Sequence, residues 1–135
     1  MAERIIVKVQ LSDGKVVEYT IELATGLPWK LIVQGIDRDG QKEFVADDLF
    51  DAQLLLREEL EAAGALLLCA GARSDVFPSG MSRSMSGGRK AYMMQLGKSP
   101  SRSDLVDIFS YAEPGVVGTV RQQQQFHQKW IESRS

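Results

Sequence analysis

The stretch Arg4-Ile-Ile-Val-Lys-Val-Gln-Leu-Ser-Asp-Gly-Lys-Val-Val-Glu-Tyr-Thr-Ile-Glu-Leu23 decides the fold class. Both of its ends are rich in β-branched residues, and Val17, Tyr19, Ile21 and Leu23 alternate with Val16, Glu18, Thr20 and Glu22. Alternation at period two puts one set on each face, which is the pattern of a half-buried strand. Ser12-Asp-Gly-Lys15 supplies an Asp-Gly pair that accepts the positive φ of a tight turn. Residues 4–11 and 16–23 are therefore expected to form an antiparallel hairpin.

Working outward, Gly26-Leu-Pro28 breaks the pattern, and Trp29 to Gly35 reads as a third strand. Asp37-Arg-Asp-Gly40 is a turn signal, and Gln41 to Val45 is either a short fourth strand or an extended approach to a helix. A calcium loop is the sharper reading of Asp-x-Asp-Gly. Counted from Asp37, however, position 6 is Lys42 where a glycine is needed, and position 12 is Asp48 where a glutamate is needed. A plain turn is the better account.

From Asp47 to Ala63, Leu49, Ala52, Leu56, Leu60 and Ala63 follow helical spacing, with Phe50 and Leu54 widening the stripe. Asp47 or Asp48 can cap the start, and Gly64 follows as a natural stop. Ala65-Leu-Leu-Leu-Cys-Ala70 is a continuous apolar run, expected as a central strand buried on both faces. Ala91 to Leu96 and Leu105 to Phe109 read as further strands, and Thr119 can cap a terminal helix over about 120–133. The expected architecture is α+β in a single domain, 1–135: a mostly antiparallel sheet of five to six strands with two helices packed on it.

Composition narrows the class of function. At 44% hydrophobic and 25% charged residues, the 135-residue chain has an ordinary globular balance and room for one core. No apolar run approaches about 18 residues, which argues against a membrane span, and the first residues lack a signal-peptide core. Cys69 is the single cysteine, so an internal disulfide is ruled out and a reducing cytoplasm is expected. With one His and one Cys, a conventional zinc site lacks ligands. No metal and no cofactor is expected.

Charge is distributed unevenly. Residues 71–103 hold Arg73, Arg83, Arg89, Lys90, Lys98 and Arg102 against Asp75 alone, a net of +5. The other residues hold ten basic against seventeen acidic side chains, a net of −7. The run Gly71 to Lys90 is small, polar and basic, and is expected as an exposed Gly/Ser-rich loop that carries charge to a partner. On the helix over 47–63, Asp51, Glu58 and Glu59 are expected to face outward together with Arg57. Glu58, Glu59 and Glu61 crowd the C-terminal turns, where the helix dipole disfavours a negative charge by about 0.3–1 kcal/mol. A solvated acidic face accounts for them; the functional alternative is that they serve an electropositive partner.

Catalytic candidates are few. Cys69 follows three leucines, an environment that raises a thiol's pKa and suppresses the thiolate. His127 lies between Phe126 and Trp130 with no orienting acid beside it in sequence. No catalytic residue is assigned, and the chain is read as a non-enzyme. Ser86-Gly-Gly-Arg-Lys90 superficially resembles a phosphate-cradling loop, but the Gly-x4-Gly-Lys spacing is missing and a strand follows where a helix should. Met81 and Met85 are flexible apolar side chains in polar surroundings, which fits a surface that repacks against a protein.

Leu68-Cys-Ala-Gly-Ala-Arg-Ser-Asp-Val-Phe-Pro-Ser-Gly-Met81, Gly87-Gly-Arg-Lys-Ala-Tyr92 and Asp104-Leu-Val-Asp-Ile-Phe109 together resemble a family of small bacterial proteins, the immunity proteins of contact-dependent and other polymorphic toxin systems. The resemblance covers about 40 residues and includes no catalytic motif. It implies a cytoplasmic α+β protein that binds a toxin domain tightly and blocks its active site or substrate groove. Many such toxins are basic nucleases, which an acidic helix would complement; the basic loop does not follow from that picture.

Two functional expectations result. The first is a protein-binding inhibitor that meets its partner through Asp47, Asp48, Asp51, Glu58 and Glu59, with Arg73, Arg83, Arg89 and Lys90 as a second contact. The second is a nucleic-acid or anionic-ligand module acting through the basic loop over 71–102, chiefly Arg83, Arg89, Lys90 and Arg102. A homo-oligomer joined through an edge strand is a third reading with no dedicated signal.

Overall fold

Period-two alternation is realised in the first hairpin. The computed structural model describes residues 3–37 and 40–134. β1 (Glu3–Gln10) and β2 (Val16–Ala24) pair antiparallel, from Glu3 opposite Leu23 to Gln10 opposite Val16. Val7, Val9, Tyr19, Ile21 and Leu23 are buried on one face. On the other face the register sets Arg4 opposite Glu22 and Lys8 opposite Glu18, so unlike charges stand across the ladder. Gly14 takes φ +89° in the turn, which Leu11 N–H closes onto the Lys15 carbonyl at 2.7 Å.

β3 (Trp29–Asp37) pairs with β2, and β4 (Gly40–Ala46) pairs with β3. The calcium-like turn Asp37-Arg-Asp-Gly40 falls partly outside the described residues. α1 (Leu49–Ala62) packs Leu49, Phe50, Ala52, Leu56 and Leu60 into the same cluster as Leu31, Val33 and Phe44 of the sheet. Full burial of each large apolar side chain is worth about 1.5–3 kcal/mol, which fixes the helix far more firmly than its propensity does. Asp48 is the cap, its Oδ1 accepting from the Asp51 N–H at 2.8 Å.

The run after α1 departs from expectation. Only Leu66–Leu67 form a strand, β5, and it is an edge strand paired with β1 alone, completing the order β4-β3-β2-β1-β5. Leu68 and Cys69 are buried all the same, because loop backbone covers them: Ala112 N–H bonds the Leu68 carbonyl, and Cys69 bridges Tyr111. An apolar run records burial, and here the burial comes from a second layer of structure.

The expected loop over 71–90 is folded. It contains a 3₁₀ turn at Ala70–Ala72, β6 (Val76–Phe77) and a third helix, α2 (Gly80–Ser86), where two helices were expected. Ser79 and Ser82 cap α2 reciprocally, each side chain bonding the other's backbone N–H. Its pattern is inverted: Ser82 is buried while Met81 and Met85 point to solvent. Hydrophobic periodicity therefore had nothing to report there. β6 pairs with β7 (Lys90–Met93), and β7 with β8 (Leu105–Asp107), giving a second antiparallel sheet in the order β6-β7-β8.

α3 (Val120–Ser133) begins at Thr119, which forms a capping box with Gln122. One apolar cluster runs from Val7 and Leu56 to Val76, Ala91, Ile108 and Phe109, so the two sheets share a core. The architecture is α+β with antiparallel pairing throughout the described sheets.

Candidate functional site: a groove beside paired charges

Most of the charges singled out in the sequence are engaged with one another. Arg83, midway along α2, donates from Nη1 to Asp48 Oδ2 at 2.7 Å and to Asp51 Oδ1 at 3.1 Å. Its guanidinium also lies 5.3 Å from the Phe50 ring centre and 5.8 Å from that of Phe77. Burial works against this cation, but the Asp48 and Asp51 carboxylates outweigh it and hold its pKa above the ordinary value. Arg89 forks onto Glu3 of β1 at 2.8 and 2.9 Å and onto Asp107 at the end of β8, joining the two sheets. Hydrogen bonding to Arg89, then its charge, lowers the Glu3 pKa. Arg73 closes on Asp75 at 2.8 and 2.9 Å, and that bond raises its pKa.

The acidic face is reduced in the same way. Glu59 is ion-paired with Lys42 of β4. Glu61 accepts the Val120 N–H on both oxygens at 3.1 Å, at the start of α3, where a helix dipole welcomes negative charge. Two of the three glutamates that looked misplaced at the end of α1 thus have partners within the chain. Arg57, expected outside, is 1% exposed. Its Nη1 donates to Gln123 Oε1 at 2.6 Å and to the Gly71 carbonyl at 3.3 Å, and its Nη2 to the Gly118 carbonyl at 3.2 Å. Burial lowers its pKa to about 10 against the raising effect of Glu61, which still leaves it charged at neutral pH. The outward strip runs from Asp47, just before α1, through Asp51, Leu55 and Glu58 on the helix, with Leu55 40% exposed.

The glycine pair that resembled a phosphate cradle serves packing. Gly87 ends α2 at φ +64°, and a Cβ there would stand 2.5 Å from the Trp29 ring; one on Gly88 would stand 2.9 Å from Phe50 Cβ. The Gly87 carbonyl accepts the Leu49 N–H at 2.6 Å, so the end of α2 satisfies the start of α1.

Cys69 is buried, and burial first, then the nearby Asp107 charge, pushes its thiol up to about 12. His127 stacks on Phe77, ring centres 3.8 Å apart at 13°, with Trp130 beyond at 6.0 Å. Burial, then Arg83, lowers the His127 pKa. Cys69 is protonated at neutral pH, and His127 is built into an aromatic stack.

Two cations that no described carboxylate cancels lie between α2 and β8. A groove of about 250 Å³ is lined by Met81, Met85, Tyr92 and Leu105, with Lys90 and Arg102 among them. Met81 and Met85 stand one turn apart, 70% and 80% exposed. Neither cation has a carboxylate partner among the described residues. Tyr92 and the methionines flanked the basic run in sequence; Leu105 was read as the start of a strand, but nothing local placed it beside α2. A wider cleft of about 430 Å³ opens beside Tyr19 and Leu60, but Lys42 and Glu59 at its wall neutralise each other.

Among the described residues, no three His, Cys, Asp or Glu side chains stand together as a metal site, and no helix is long and apolar enough to cross a membrane. Comparison with protein-family models and with curated proteins finds no match to this chain.

Proposed function

We propose that this chain is a non-catalytic protein-binding protein, of the immunity type that covers and neutralises a cognate toxin domain. The observation that carries the reading is the exposure of Met81 and Met85 on a helix held rigidly from behind. Flexible thioethers left in water on a fixed backbone suit a surface that repacks against another protein. Arg83 and the capping serines hold that backbone, so little ordering cost attends contact. Asp47 before α1 and Glu58 on it, with Asp51 shared with Arg83, offer a second patch for basic groups of the partner. Asp48 and Glu59 are committed within the chain, to the α1 cap with Arg83 and to Lys42. The likeness over residues 68–109 to immunity proteins supplies the class of partner.

Co-expression with candidate toxin domains, beginning with any encoded beside its gene, tests the reading. Growth rescue and a one-to-one complex on size-exclusion chromatography are expected. Undiminished toxicity with both proteins present and no complex overturns it. The nucleic-acid reading is weaker on this geometry, because Arg83 and Arg89, two of its four cations, are already ion-paired within the chain.

A further inference from the structure

We infer that the groove between α2 and β8 docks an acidic, amphipathic segment of a protein partner. Its apolar side chains seat on Met81, Met85, Tyr92 and Leu105, and its carboxylates meet Lys90 and Arg102. The inference deepens the protein-binding reading and rests on it.

Charge decides the sign of the occupant. Arg73, Arg83 and Arg89 are matched by carboxylates, whereas Lys90 and Arg102 are not. The nearest acids in sequence and register are committed elsewhere. Asp107, across the ladder from Lys90, is held by Arg89 and by the Phe109 N–H at 2.9 Å. Asp104, two residues after Arg102, accepts the Ser101 N–H at 2.8 Å. Among the described residues, no carboxylate lines the groove. An anionic occupant therefore gains two contacts, and a cationic one meets only repulsion.

Chemistry of the wall decides its class. Ser82 and Ser86 also line the groove, but their hydroxyls donate back into the helix, to the Ser79 carbonyl at 3.0 Å and the Ser82 carbonyl at 2.7 Å. With those donors spent, the surface between the two cations is thioether, phenol ring and isobutyl. A polyanion such as single-stranded nucleic acid needs stacking faces, and Tyr92 is the one ring in the lining. Apolar side chains interleaved with carboxylates match what is present.

The test uses the full chain and a fluorescein-labelled 15-residue peptide with Leu and Phe at helical spacing and Asp and Glu elsewhere. A second peptide carries Lys at every acidic position, and a third probe is a labelled oligothymidylate. Fluorescence anisotropy is expected to show saturable binding of the acidic peptide and none of the basic one. The Met81→Ala/Met85→Ala and Lys90→Glu/Arg102→Glu pairs should each weaken binding by about tenfold or more, while Ser84→Ala on the same helix leaves it unchanged. No binding of the acidic peptide, equal binding of the basic one, or wild-type affinity in both double variants overturns the inference. So does oligothymidylate binding that survives loss of the methionines, or a dimer that Met81→Ala/Met85→Ala dissolves. Toxin neutralisation separates the two levels: groove variants that still rescue growth sink the groove alone, whereas a wild-type chain that never rescues growth sinks the protein-binding reading.

Discussion

In residues 3–67, sheet and helix meet through Val9, Ile21, Leu31, Val33 and Leu56, all at 0% exposure. Residues 68–118 hold strands of two to four residues, and the carbonyls of their irregular backbone are satisfied by side chains from the two long helices. Gln123 of α3 donates to the carbonyls of Gly71, Arg73 and Val76 at 2.8, 3.0 and 2.8 Å. Arg57 of α1 reaches Gly71 and Gly118, and Gln53 reaches Ile108 at 3.0 Å. Both regions share the apolar core, but the second adds a few buried polar side chains that bond the backbone its short strands leave unpaired. A buried polar group stabilises through what its removal would orphan.

The comparison is sharpest at Arg57. Arg57→Met leaves Gln123 Oε1 and the Gly118 carbonyl without a donor, and should cost about 3–5 kcal/mol, as much as truncating a core leucine. Guanidinium unfolding beside Leu56→Ala checks it; a loss below about 1 kcal/mol would erase the distinction between the two regions. Gly71→Ala comes next. A Cβ there lies 2.0 Å from Gln53 Oε1 and 2.8 Å from Ile108 Cβ, inside the polar knot. Overpacking of this kind should cost about 1–3 kcal/mol.

Asp48→Ala probes the junction between the regions, since it removes both the cap of α1 and a partner of Arg83. The cap is worth about 1 kcal/mol and the part-exposed ion pair less, so a total loss of about 1–2 kcal/mol is expected. The smallest effect is a pH dependence. His127 has its pKa lowered below 6.5 by burial and Arg83, so just below that pH the folded chain binds fewer protons than the unfolded one. Stability from this source is complete above pH 6.5 and declines as pH falls through the lowered value. His127→Phe, which keeps a flat ring on Phe77, should show a shallower drop in Tm between pH 7.5 and 5.5 than the wild type.

Legibility in the sequence divides along the same line. The β1–β2 hairpin, α1 and the Thr119 cap follow from local period and turn chemistry, and they were readable. The role of Gln123 was not, because one of four consecutive glutamines carries no mark of burial until α3 is docked. Arg57 was assigned to solvent by the rule that charges face outward, a rule that fails where the guanidinium replaces a strand's hydrogen bonds. α2 was hidden by its exposed methionines and buried serine. The charge asymmetry of the sequence was real, but Arg83 with Asp48 and Arg89 with Glu3 join its two halves across 35 and 86 residues. Linear charge counts cannot see such pairing.

The fork of Arg89 onto Glu3 and Asp107 has a mechanical corollary. Residue 3, at the start of the first strand, is tied to the end of the last one by a guanidinium lying 5.7 Å from the Phe109 ring centre. A pull on the N-terminal end of the chain would load this clasp before it sheared the β1–β2 ladder. The sheet that gives the molecule its frame is thus latched at the strand end where unzipping would otherwise begin.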